Sequence, residues 1–225
     1  MSQLKTALNK LYKQLDGTGA QLVAVSKYHP AEAIREAYDE GQRIFGESHV
    51  QELCAKVPIL PDDIEWHFIG HLQTNKVKYI APFISLIHSV DTFKLLKEID
   101  RQASKCGRTI DCLLQLHIAK EETKFGFLPE ELSAMLSQEE WKELRNVRIC
   151  GLMCMATNTD DEQQIKGEFH EAHTIFEHLK ATYFTDNDSF KQLSMGMSDD
   201  YPIALSEGST LIRVGSLIFG ERNYG

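Results

Sequence analysis

The sequence predicts a (β/α)8 TIM barrel, and three observations carry that prediction. Eight short β-rich runs alternate with stretches of helical periodicity, and parallel neighbours are what such an alternation produces, because each needs a crossover connection. The chain has 225 residues, inside the range of roughly 200 to more than 400 residues that barrels occupy. A doubly wound open sheet would need a phosphate-binding glycine turn after its first strand. Here that turn reads YHPAEA, without glycine.

The elements follow in order. MSQLKTALNKLYKQL reads as an amphipathic helix with its lysines spread along it. The eight strand candidates are QLVAVSK (21–27), RIFGE (43–47), EWHFIG (65–70), SLIHSV (85–90), TIDCLLQLHI (109–118), VRICGLMCMA (147–156), KQLSMG (191–196) and TLIRVGSLIFG (210–220). Their rich content of Val, Ile and Leu on both faces suits strands covered by helices outside and core inside. Between them, PAEAIREAYDEG places Pro30 in a first helical turn and Gly41 at a C-terminal cap. LPEELSAMLSQEEWKEL (128–144) and the segment 160–182 carry acids in their first turns, where the helix dipole favours them. No Pro/Gly/Ser-rich linker or compositional break divides the chain, so residues 1–225 are expected to form one domain.

Charge and cysteine usage exclude several classes of function. Twenty-four basic and 33 acidic side chains leave a net charge of −9, which repels phosphate backbones and anionic lipids. Neither nucleic acid nor membrane is an expected partner. The N-terminus lacks the pattern of a signal peptide, and no run reaches the roughly 18 apolar residues that span a bilayer. A cytoplasmic monomer is expected. The five cysteines include no C-x-x-C pair and read as reduced thiols. His170 and His173 share a helix face, but HEAH is one residue short of the HExxH spacing that brings two rings to one zinc; no metal is expected.

Barrel chemistry sits at the C-terminal ends of the strands. Lys27 ends the first strand and shares a face with Val25 and Val23. An amine emerging from apolar surroundings loses its proton more easily, as a Schiff-base lysine requires. A solvated cap is the plainer reading of Lys27. The loops after strands seven and eight, where barrels bind phosphate, read LSMGMSDDYPIA and LIRVGSLIFG. They supply Gly196, Ser198, Gly215 and Ser216, small residues with free backbone N–H groups and two hydroxyls. A short helix opening at Ser198 would add an anion-attracting end. Arg213 points inward on strand eight with Leu211 and Gly215, and needs either a ligand or an ion pair with an acid such as Glu47. An amine for an aldehyde, a cup for a phosphate and a guanidinium for a ring nitrogen are together the grips that pyridoxal 5′-phosphate requires.

AVSKYHP, FGESHVQE, WHFIGHLQTNK, IHSVD, KFGF, GLMCMA, LSMGMSDDYPIALSEGSTLIRVG and IFGER, spread over nearly the whole chain, resemble the pyridoxal phosphate homeostasis protein family. That family looks like the barrel domain of alanine racemase without its extra β domain. The resemblance implies that Lys27 carries the imine, that Ser198, Gly215 and Ser216 hold the phosphate, and that Arg213 faces the pyridine nitrogen. Ser48 and His49 stand where the family usually has Asn-Tyr, so Ser48 enters as a cofactor contact in place of asparagine. Lys124, in KFGF, matches a family lysine near the pocket mouth. The function implied is non-catalytic: storing, buffering or delivering the cofactor, with pyridoxal-phosphate-dependent apo-enzymes as recipients. A small amino acid racemase is the alternative, and it needs acid/base groups on both faces of its substrate. The sequence ends at Tyr224 and Gly225 soon after strand eight, without the extra domain through which alanine racemase positions its second group. A scaffold with a vestigial site is the third reading.

Overall fold

The structure is a computed structural model that describes residues 2–120 and 125–220. Lys124, Tyr224 and Gly225 lie outside the described residues. The strands β1 (Gln21–Val25), β2 (Ile44–Glu47), β3 (Glu65–Phe68), β4 (Leu86–Val90), β5 (Ile110–Gln115), β6 (Val147–Met153), β7 (Gln192–Ser194) and β8 (Leu211–Val214) form a closed barrel in sequence order. Each strand runs parallel to the next, and β8 closes on β1 with Leu22 opposite Ile212 and Val23 opposite Arg213.

Period-2 alternation divides the core in two. Val23, Ile44, Leu86, Leu113, Cys150, Met153 and Leu211 pack together inside the barrel. Leu22, Ala24, Phe45, Trp66, Phe68, Ile87, Leu114, Leu152, Ile212 and Val214 face outward into the layer covered by helices. Those helices are α1 (Gln3–Leu15), α2 (Ala31–Asp39), α3 (Val50–Lys56), α4 (Val77–Ile80), α5 (Phe93–Lys105), α6 (Pro129–Ser137), α7 (Glu162–Tyr183), α8 (Tyr201–Ser206) and α9 (Ser216–Phe219). Helix α1 precedes the barrel, buries Leu4, Leu8, Leu11 and Leu15, and packs on α2, α9 and β1.

Three elements depart from the sequence reading. The run 210–220 is a strand only to Val214. At Gly215 the backbone leaves the extended region (φ −123°, ψ −68°), and Ser216–Phe219 coils into α9. The segment 128–144 breaks after α6. Glu139 takes a left-handed φ of 60° and a short 3-10 turn follows. The break turns Trp141 back so that its indole N–H donates to the Leu136 carbonyl while its ring lies 4.9 Å from that of Phe184. The run 109–118 ends as a strand at Gln115, after which Leu116 makes one isolated bridge to Phe127.

Candidate cofactor site

A cavity of about 220 Å³ opens at the C-terminal ends of the strands, smaller than the roughly 300–1,000 Å³ of drug-sized sites. Lys27, Ser48, Ser198, Arg213, Gly215 and Ser216 all line it, with Val25, Ile69, Met155 and Met197 as apolar wall. These six come from the ends of β1, β2 and β8 and the loop after β7, whereas Gly196, expected in the phosphate cup, does not line the cavity: it sits at a φ of +94° against α8, where a Cβ would lie 2.6 Å from Ala204 Cβ. A roomier cavity of about 420 Å³ lies at the opposite end of the barrel. There Arg148 and Asp111 already satisfy each other, through bonds of 2.7 and 2.9 Å.

Lys27 reaches the cavity because strand one stays extended for one residue past β1. The Ser26 N–H donates to the Gly46 carbonyl at 3.0 Å. The chain then turns sharply, with Tyr28 at a left-handed φ of 66°. Ser48 stands at the mouth of β2. The loop after β3 passes against it because position 70 is glycine: a Cβ there would lie 2.4 Å from the Ser48 carbonyl oxygen. Beside it His49 is exposed, its ring 5.1 Å from that of Tyr28.

Ser198 joins the loops after β7 and β8, its hydroxyl accepting a long 3.4 Å bond from the Gly215 N–H. The helix expected at Ser198 opens at Tyr201, and the Asp200 carboxylate accepts the Met197 N–H at 2.5 Å. That turn is therefore met by a carboxylate of its own. The helix whose first residue lines the cavity is α9, opening at Ser216. The first N–H groups of any helix lack intrahelical partners, so Ser216 offers both a hydroxyl and a backbone donor. Glycine at 215 allows β8 to press on β1; a Cβ would meet the Val25 carbonyl oxygen at 3.0 Å.

Arg213 is only 5% exposed, and its partners differ from the ion pair considered with Glu47. Nη1 donates to Ser194 Oγ at 2.7 Å and Nη2 to the Cys154 carbonyl at 2.9 Å. Glu47 belongs to the outer face of β2, on the same alternation as Phe45, and pairs there with Lys56 at 2.7 Å. Ser194 extends the chain of contacts across the barrel interior: its Oγ lies 2.9 Å from His88 Nδ1, and His88 Nε2 lies 3.0 Å from His67 Nδ1. Arginine only donates, so Ser194 accepts from it, and the same hydroxyl hydrogen-bonds His88 Nδ1. His88 Nε2 and His67 Nδ1 share a hydrogen bond in turn. Burial pulls His67 down to about 3. Burial, then the nearby His67 and Arg213, hold His88 well below its ordinary value. Both rings are neutral at pH 7, which leaves Arg213 as the positive charge of the network. Burial lowers its own pKa, without removing a charge that guanidinium keeps in proteins.

His67, His88 and Ser194 are site-supporting residues the sequence reading did not single out. Their signal was a polar side chain at an inward position of an otherwise apolar strand. His170 and His173 are both engaged by Glu207, through its carboxylate at 3.0 Å and its carbonyl at 2.6 Å. Among the described residues no group of three metal-ligating side chains converges.

Comparison with known proteins places the chain in a family. The alanine racemase N-terminal domain family matches residues 1–223. The pyridoxal phosphate homeostasis protein of Aquifex aeolicus (strain VF5) is 39% identical over 99% of this chain and 98% of its own length. The structure of PipY of Synechococcus elongatus PCC7942 without PLP superposes with a TM-score of 0.90 at 41% identity, covering 96% of this chain and all of that one. The structure of the same protein with PLP bound superposes with a TM-score of 0.86. The chain belongs to the pyridoxal phosphate homeostasis protein family, whose barrel is the alanine racemase N-terminal domain.

Proposed function

We propose that this chain binds pyridoxal 5′-phosphate in the cavity around Lys27 and stores, buffers or delivers it without turning over amino acids. The observation that carries the reading is the convergence of an amine, two hydroxyls beside a helix opening and a buried guanidinium on one small cavity. That donor set fits the cofactor. Its homologue from Synechococcus elongatus has a structure with PLP bound, and relatives such as the one from Aquifex aeolicus are named for pyridoxal phosphate homeostasis.

When bound, the cofactor supplies an aldehyde that an amine can capture reversibly. The Lys27 amine is the group placed for that capture, with Val25 as the apolar surface beneath it. Ser198, Ser216 and the backbone of Gly215 and Ser216 hold the phosphate. Ser48 contacts the cofactor in place of the family's asparagine. Arg213 faces the pyridine nitrogen, and because guanidinium cannot take up a proton it leaves that nitrogen unprotonated and the ring a poor electron sink. The arrangement binds and orients without activating.

In this reading the chain is one domain, acts as a cytoplasmic monomer and passes its cofactor to pyridoxal-phosphate-dependent apo-enzymes. Among the described residues no helix is long and apolar enough to cross a membrane. The test compares two properties of the loaded protein. It should restore activity to a cofactor-free enzyme, and it should exchange the α-proton of L-alanine with deuterated water no faster than free pyridoxal phosphate. Exchange thousands of times faster, lost in Lys27→Ala, would establish the racemase alternative.

A further inference from the structure

The residues on either side of Lys27 are tied to the same group of charges outside the barrel wall. Ser26 donates its hydroxyl proton to Glu47 Oε1 at 2.7 Å, and its carbonyl accepts from Lys56 Nζ at 2.9 Å. Tyr28, at its left-handed φ of 66°, donates its N–H to Glu52 Oε1 at 2.7 Å. Lys56 joins the two halves, donating to Glu47 Oε1 and Glu52 Oε1, each at 2.7 Å. An ammonium has three protons, and the three acceptors are Ser26 O, Glu47 and Glu52.

These groups do not line the cavity, and two features of their placement are costly. Glu47 is fully buried and Lys56 nearly so, yet a buried ion pair is often no more stable than apolar side chains of the same volume. A tyrosine in the left-handed region is strained, and such strain persists only where the surroundings hold it. Both costs fall on the turn that carries Lys27. The bonds do not support the β7 and β8 loops, where the phosphate grip lies.

We propose that Glu52, Lys56 and Glu47 act as a positioning clamp that holds the Ser26–Tyr28 turn and so sets how readily Lys27 captures an aldehyde. The proposal rests on the cofactor-site reading above. In the capture step the Lys27 amine adds to the aldehyde carbon. Two nitrogen protons leave with the carbonyl oxygen as water as the carbon–nitrogen double bond forms. Glu52 stays ionised for its part. Burial opposes the charge, but the bonds from Lys56 and the Tyr28 N–H outweigh it and hold the carboxyl below its ordinary range. Burial pushes Glu47 the other way, against the attraction of Lys56.

The experiment separates capture from binding. Full-length protein is mixed with pyridoxal 5′-phosphate, which can react, or with pyridoxine 5′-phosphate, an alcohol that can only bind. Capture is followed by visible absorbance and by borohydride trapping with peptide mapping. Lys56→Met strands the buried Glu47 and can fail to fold, so the variants are placed at the partly exposed Glu52. Glu52→Ala should slow capture at Lys27 by about tenfold or more, since small displacements of a reacting group cost that much, and leave pyridoxine 5′-phosphate affinity unchanged. Glu52→Gln keeps an acceptor for the Tyr28 N–H and should retain most of the rate. Adding Tyr28→Gly to Glu52→Ala should restore it, because glycine adopts the left-handed turn without support. Wild-type capture by Glu52→Ala overturns the clamp, and so does equal loss of both ligands without rescue by Tyr28→Gly. An adduct that persists in Lys27→Ala overturns instead the site reading on which the clamp rests.

Discussion

Arg213 and Ser194 meet at 2.7 Å inside the barrel, and through that contact the guanidinium in the cavity wall is joined to two neutral histidines. Ser194 touches both sides of the contact, accepting from Arg213 and hydrogen-bonding His88. Ser194→Ala therefore leaves a buried donor and a buried ring nitrogen unpaired. The expected loss is about 1–3 kcal/mol of unfolding free energy, read from urea denaturation. Pyridoxal 5′-phosphate affinity should fall as well, because Arg213 is no longer held. Unchanged stability and affinity together would show that the relay does not support the site.

The phosphate grip predicts a difference between two ligands. Bonds from hydroxyls and N–H groups to a charged phosphate are each worth about 1.5–3 kcal/mol. Replacing both Ser198 and Ser216 by alanine should weaken pyridoxal 5′-phosphate far more than pyridoxal, which has no phosphate. Spectroscopic titration of both ligands checks it. Equal weakening would place the phosphate elsewhere.

Acid should unfold the protein partly through His67. Its folded pKa lies at about 3 against an ordinary value of 6.5, so between those limits the unfolded chain binds more protons. The contribution of neutral His67 is thus fully present above pH 6.5 and is lost as pH falls toward 3. Glu47, raised by burial, acts in the opposite sense: its folded form binds protons more readily, and its contribution declines as pH rises through its range. Comparison with His67→Gln isolates the histidine. Thermal melts at pH 7 and pH 5 should show the wild type losing more stability on acidification than the variant.

Gly151 is expected to be irreplaceable for the barrel. Its φ is +148°, and a Cβ there would stand 1.8 Å from the Gln192 carbonyl oxygen on β7. Backbone cannot move aside as a flexible side chain can, so Gly151→Ala should cost at least the roughly 1–3 kcal/mol of ordinary overpacking. A denaturation midpoint equal to the wild type would contradict the close approach of β6 and β7.

The barrel was legible because alternation of strands and helices leaves few parallel topologies, and β1 through β8 fall within the eight runs read from the sequence. Strand eight was read too long because Leu217, Ile218 and Phe219 are as apolar as a strand. Only the backbone at Gly215 reveals the turn into a helix. Lys27 and Arg213 could be placed on the cavity side by alternation from Val23 and Leu211. The partner of Arg213 could not, since Ser194 lies 19 residues away in sequence and becomes its neighbour only when β7 pairs with β8. The bonds between Glu52, Lys56 and the Lys27 turn were hidden for a similar reason. The Glu52–Lys56 pair has the i,i+4 spacing of a helix-face ion pair and could have been read, but its bonds to Ser26 and Tyr28 span 30 and 24 residues and arise only when α3 packs beside the end of β1.

Reductive trapping identifies the amine that captures the cofactor. Loaded protein is treated with borohydride, digested and mapped by mass spectrometry, with Lys27→Ala alongside. The reduced pyridoxyl adduct is expected on the peptide containing Lys27, with loss of both the adduct and the visible absorbance band in Lys27→Ala. An adduct confined to another lysine, such as Lys76, with the band intact in Lys27→Ala, would contradict that assignment.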